Sequence, residues 1–178
     1  MKKENEMDKD CLLMCELQGE TFELSVDYND TSSAIFLRRY MNSKAARYMD
    51  KGAYLESNLM AKDLLDLVNE EYGRSDYGSV KFSKNEMYWM GYIYRLMAYM
   101  YEVPSAVAYK IIKPSELREL FLPYHTLDPE QAMDRILESK GLLLDEEAEL
   151  KRQFEIFKRA RKEAELRLQE RQKSKRQN

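Results

Sequence analysis

The chain of 178 residues contains one histidine, one tryptophan and two cysteines. With His125 as the only histidine, no imidazole cluster for a metal can form. Cys11 and Cys15 stand four apart with no Cys-x-x-Cys pair after them, so they make no zinc site alone. They read as buried free thiols, and no disulfide is expected in a reducing compartment. Six glycines and four prolines are few for this length. That disfavours an all-β sandwich or barrel, which needs many turns, and a Rossmann or P-loop enzyme, which needs glycine-rich phosphate loops. No run reaches the roughly 18–20 apolar residues that cross a bilayer. The longest, Met87 to Tyr101, contains Arg95. Met1 to Asp10 alternates charges and has no apolar signal core, so a cytoplasmic protein with no membrane partner is expected.

What is present is charge, tyrosine and methionine. Lys and Arg number 29 and Asp and Glu 32, for a net charge of −3. The average hides an uneven layout. Lys158 to Asn178 carries nine Lys or Arg and three Glu, net +6; residues 145–157 carry −3 and residues 1–144 carry −6. Of the 13 tyrosines and 11 methionines, five and four fall within residues 87–101.

The pattern predicts a mostly α fold of the α+β class. In residues 20–28, Phe22, Leu24 and Val26 alternate with Glu23 and Ser25, the period of a half-buried strand, and Gly19 suits a tight turn. A β-hairpin is therefore expected at 11–27, packed on a helical bundle. Helices are expected from about Ile35 to Met49, with Asn42-Ser43 as a candidate interruption, and at Ser57 to Tyr72 and Lys84 to Tyr101, with shorter ones at 105–111, 115–122 and 129–140. Ser83 and Glu86 form a capping box for the helix at 84, and its all-round apolar surface makes it the buried centre of the bundle. Pro114 and Pro129 suit first helical turns. Beyond Gly141 there is no Gly or Pro, and acid at the start with base at the end matches a helix dipole. A long projecting C-terminal helix is expected, about 40 Å over residues 145–172 at 1.5 Å per residue. The domain organisation is a flexible N-terminus (1–10), a globular mainly helical domain (11–144) and an amphipathic, basic C-terminal helix or tail (145–178).

Several residues stand out as site candidates. Leu150, Phe154, Phe157, Ala164 and Leu168 fall on the 4-3 spacing of a coiled-coil seam, with Arg161 in the intervening slot. An apolar seam on a projecting helix points to a partner, so Leu150, Phe154, Phe157, Arg161 and Leu168 are read as partner-binding residues. Arg95 sits among tyrosines in an apolar helix and needs a carboxylate or an exit to solvent. With Tyr92 and Tyr99 it is the candidate for a cleft. His125 and Asp128 read as a loop residue and a helix cap. No nucleophile motif such as Gly-x-Ser-x-Gly is present, and no catalytic residue, cofactor or metal is assigned. An enzyme would need a polar cleft built around Arg95, Glu102 or His125.

Four segments carry a resemblance: Phe22 to Ser33 (FELSVDYNDTSS), Met90 to Arg95 (MGYIYR), Tyr109 to Leu120 (YKIIKPSELREL) and Pro123 to Ala132 (PYHTLDPEQA). Across roughly residues 20–140 the chain resembles small antitoxin- or immunity-like proteins of bacterial toxin–antitoxin-type operons. That resemblance implies a non-enzymatic module that occludes a protein partner such as a toxin enzyme. The alternative is a nucleic-acid-binding regulator. In it, helices 84–101 and 105–111, separated at Pro104, would form a helix-turn-helix-like unit. The acidic body, the missing turn glycine and the short second helix weigh against it. Oligomeric state is not encoded in any of these features.

Overall fold

The computed structural model of the chain describes residues 1–52 and 58–143, together with Lys158 and Arg161. Nine helices are found among them: α1 (Lys9–Tyr28), α2 (Ser33–Asn42), α3 (Lys44–Asp50), α4 (Ala61–Tyr72), α5 (Lys84–Met100), α6 (Ser105–Ile111), α7 (Pro114–Glu119), α8 (Phe121–Tyr124) and α9 (Pro129–Ser139). The described residues contain no strand. The expected N-terminal β-hairpin at 11–27 is therefore wrong, and with it the α+β class; the fold is helical. The projecting C-terminal helix lies outside the described residues, as do Leu150, Phe154, Phe157 and Leu168. Arg161 is described as helical and exposed.

Residues 11–27 lie within α1, one helix of 20 residues capped by Asp8, whose carboxylate accepts from the Cys11 amide at 2.8 Å. The buried face runs Cys11, Met14, Cys15, Gln18, Thr21, Phe22, Ser25, which is helical spacing. It is disguised in the sequence because half of it is small or polar. Leu24, one of the three positions that suggested a strand, is more than a third exposed, as are Leu12 and Leu13.

Gly19 makes no turn. It lies at the closest approach of α1 to α5, facing Gly91. A β-carbon on Gly91 would stand 2.6 Å from the Gln18 carbonyl oxygen, 2.9 Å from Phe22 Cγ and 3.0 Å from Gly19 Cα. One on Gly19 would meet the Tyr88 ring at 2.9 Å. Glycine inside a helix costs roughly 1 kcal/mol against alanine. Here its absent side chain lets two backbones meet.

Helix α5 is the axis of the bundle. It packs on α1 over its length and also touches α6, α7, α8 and α9. Met87, Met90, Ile93, Tyr94, Leu96 and Met97 are fully buried. The Tyr94 hydroxyl donates to the Ile112 carbonyl at 2.7 Å, so the ring is buried without an orphaned oxygen. A second layer, α2 to α4, completes the core through Phe36, Leu37, Tyr40, Met41, Leu64 and Leu65. Phe22 of α1 meets the Phe36 and Tyr40 rings edge-on at 5.4 and 4.8 Å.

The α5 start is built as its sequence suggests. Ser83 Oγ accepts from the Glu86 amide at 3.2 Å, and the Ser83 amide donates to Glu86 Oε2 at 2.7 Å. Arg118 donates to Glu86 Oε1 at 2.8 Å. Burial works to raise the Glu86 pKa, but Arg118 and the Ser83 amide and hydroxyl outweigh it, and the carboxyl ends below its usual value. A depressed folded-state pKa gives stability that is present above the unfolded value, about 4.3, and lost as pH falls through the folded value. Urea melts should therefore show Glu86→Gln less stable than wild type at neutral pH. The gap should close between about pH 5 and pH 2.

Candidate functional site

Arg95 is the key to the first site. It is 1% exposed, yet it lies in the middle of an apolar helix. Its Nη1 donates to Asp50 Oδ1 at 2.9 Å, its Nε and Nη2 to Gln18 Oε1 at 3.0 and 2.9 Å, and its Nη2 also to Ser105 Oγ at 2.8 Å. Asp50 closes the cluster by accepting from Ser105 twice, from Oγ at 2.6 Å and from the amide at 2.9 Å. Gln18 in turn donates to the Gly91 carbonyl at 3.0 Å. One guanidinium thus ties together α1, α3, α5 and the start of α6. The fork geometry of arginine makes this network, and lysine could not reproduce it.

Beside the cluster lies a hollow of about 430 Å³, lined among others by Asp50, Arg95, Tyr99, Glu102, Lys51 and Asn5. Its rim is the C-terminus of α5. There the Glu102 amide bonds the Tyr99 carbonyl at 3.4 Å and the Val103 amide bonds the Ala98 carbonyl at 3.1 Å. This is the Schellman pattern, which needs a left-handed residue at the position Glu102 holds, with φ of 49°. Helix α9 ends in the same pattern with Gly141 at that place, φ 63°. Glu102 is the only described non-glycine residue with positive φ. Its carboxylate accepts from Asn5 Nδ2 at 3.4 Å, at the mouth of the hollow. Replacing Glu102 by glycine should raise stability by about 1 kcal/mol, read as a higher urea midpoint with an unchanged slope.

Residues 1–8, expected to be flexible, cross this helix end. The Glu4 and Asn5 amides both donate to the Met100 carbonyl, at 2.8 and 3.1 Å, and Asn5 Nδ2 donates to the Tyr99 carbonyl at 2.9 Å. The Tyr99 hydroxyl donates to the Asp8 carboxylate at 3.0 Å. Burial and Asp8 push the Tyr99 pKa up to about 12, so it stays a donor throughout the physiological range.

A second, larger concavity of about 510 Å³ lies across α5 from this cluster. Tyr88, Trp89 and Tyr92 of α5, Phe121 of α8, His125 and Leu127 line it, with Glu23 of α1 at the edge. Trp89 meets Phe121 edge-on at 5.7 Å, and His125 stacks on Phe121 at 4.6 Å. The His125 ring is held by Nδ1, which lies 3.0 and 3.1 Å from the Phe121 and Leu122 carbonyls and donates to them.

The cleft expected around Arg95, Tyr92 and Tyr99 is thus divided. Arg95 and Tyr99 share the first hollow and Tyr92 lines the aromatic groove. Glu102 joins Arg95 in the first hollow, whereas His125 lines the aromatic groove. Asp128 caps α9, accepting from the Glu130 and Gln131 amides at 3.0 and 3.3 Å. Asp50, Gln18 and Ser105 have no motif in the sequence. Their one signal is the need of Arg95 for a carboxylate. Tyr40 Oη is the one described buried side-chain polar atom with no partner, and burial pushes its pKa up.

Chemically, the Arg95 cluster is a clamp. Its arginine spends four N–H bonds on protein acceptors, and Ser105 Oγ is both donor and acceptor within it. Neither group has the open geometry of a proton-transfer site. Cys11 and Cys15 are free and buried, with their sulfurs 3.9 Å apart. No helix among the described residues is long and apolar enough to cross a membrane. Helix α6, the second helix of the alternative DNA-binding unit, has one basic residue, Lys110. No family model, curated protein or solved structure matches the chain.

Proposed function

We propose that the chain is a non-enzymatic protein-binding module that works by covering a surface of its partner. The observation that carries this is the aromatic groove. Trp89, Tyr88, Tyr92 and Phe121 are only partly buried and gather around one concavity, whereas the polar cluster around Arg95 is closed upon itself. Aromatic side chains gathered in a half-buried groove are the typical energetic centre of a protein interface. The resemblance to antitoxin- and immunity-like proteins narrows the reading to a module that neutralises an enzyme partner by steric occlusion. In that form Phe154 and Phe157 add apolar anchors beyond the body, and the basic residues beyond them give electrostatic steering. A cytoplasmic location accords with this role.

The test is purification of the full chain at native expression from its own operon, followed by light scattering and absorbance. A stoichiometric protein partner is the expected result. Bound nucleic acid in place of protein would overturn the reading, as would a chain that elutes alone.

A further inference from the structure

The groove has a chemical sign as well as a shape. On α1, Glu16, Glu20, Glu23 and Asp27 recur at intervals of four, three and four, so they form one row along the helix. Glu23 reaches the groove itself, and the others stand on the same side. Lys84, the nearest cation at the α5 start, is already paired with Asp27 at 2.5 Å. No lysine or arginine is found among the described residues that line the groove. The Tyr88 hydroxyl feels this row: burial pushes its pKa up, and Glu16, Glu20 and Glu23 push it further in the same direction. The body as a whole, residues 1–144, is −6. Aromatic faces carry negative charge over their rings and attract cations held above them. Here rings and carboxylates act together on whatever enters.

We infer that the aromatic groove between α5 and α8, with the carboxylate row of α1 at its rim, is a docking site for an arginine- or lysine-bearing apolar segment of the partner protein. This inference rests on the protein-binding reading and names the partner's chemistry. Apolar side chains of the segment fill the space against Trp89, Phe121 and Leu127. Its cations lie over Tyr88 and Tyr92 and face Glu23 and Glu20. A phosphate backbone or an anionic lipid surface is repelled by the same row.

The groove contains its own reporter, because Trp89 is the only tryptophan in the chain. The full chain is titrated at low salt with an acetylated, amidated tetrapeptide alternating phenylalanine and arginine. The control is its twin with glutamate in place of arginine. The arginine peptide should shift Trp89 emission saturably, and the glutamate peptide should bind at least about ten-fold more weakly. Raising the salt should weaken the arginine peptide. Glu23→Gln, at the half-buried rim, and Tyr92→Leu should each weaken it about five-fold with unchanged circular dichroism. Equal response to the two peptides, no saturation, or indifference to both substitutions would overturn the inference. If a stoichiometric protein co-purifies and is retained in full by both variants, the inference falls and the binding reading stands. If no protein co-purifies, the reading falls and takes the inference with it.

Discussion

Replacing Asp50 by alanine should cost about 3–5 kcal/mol of folding stability, because it strands a buried charge. Arg95 is 1% exposed, and among the described residues Asp50 is the only carboxylate bonded to it. Without Asp50 the guanidinium keeps Gln18 and Ser105 as acceptors but has no opposite charge in contact. The reverse substitution, Arg95→Met, should cost less, about 2–3 kcal/mol. Asp50 is 17% exposed and keeps both bonds from Ser105, so water can take the place of the guanidinium. The main loss is then the donor to the buried Gln18 oxygen. The double variant should be less destabilised than the sum of the two, since the second substitution removes the charge that the first leaves stranded. Urea denaturation of the three variants decides this. An Asp50→Ala variant within about 1 kcal/mol of wild type would mean that the cluster is not the clamp described.

Gly91→Ala should destabilise by at least about 2 kcal/mol, while Gly19→Ala should stay within about 1 kcal/mol of wild type. Both gain about 1 kcal/mol of helix propensity. They differ in what the new methyl meets. At Gly91 it meets backbone of the facing helix, the Gln18 carbonyl oxygen at 2.6 Å and Gly19 Cα at 3.0 Å, so α1 and α5 must separate along their contact. Separation would also loosen Gln18 from the Gly91 carbonyl and from Arg95. At Gly19 the methyl meets the ring of Tyr88, which is only partly buried and can swing toward the groove. Thermal melts of the two variants, side by side, give the comparison. Equal losses would contradict the backbone-to-backbone contact.

The parts of this fold that could be read from sequence are those where a residue acts locally. Ser83 with Glu86 at the start of α5, Gly73 and Gly141 after α4 and α9, and Pro114 and Pro129 in first turns all act within a few residues of themselves. The N-terminal helix could not be read that way. Beside Met14, Leu17 and Phe22 its inner face carries Gln18, Gly19, Thr21 and Ser25, and these are inner only because of what packs opposite, as α5 does with Gly91 and Arg95. Period-two spacing at Phe22, Leu24 and Val26 was a coincidence of three positions that tertiary packing overrode. For the site, Arg95 announced itself, since an arginine in an apolar helix must be answered. The answering residues come from three other helices at separations that no local rule spans. The aromatic excess at 87–101 was equally visible. Which of its tyrosines are core and which line a groove depends on where α1 and α8 lie, and Tyr94 and Tyr92, two residues apart, fall on opposite sides of that division.

The central claim is that the groove beside Trp89 is where the partner binds. The most direct measurement compares co-purification of the native complex by wild type and by the Tyr88→Ala/Tyr92→Ala double variant, with fold checked by circular dichroism. Wild type should retain one stoichiometric protein, and the folded double variant should lose it. A folded double variant that retains its partner in full would contradict the account.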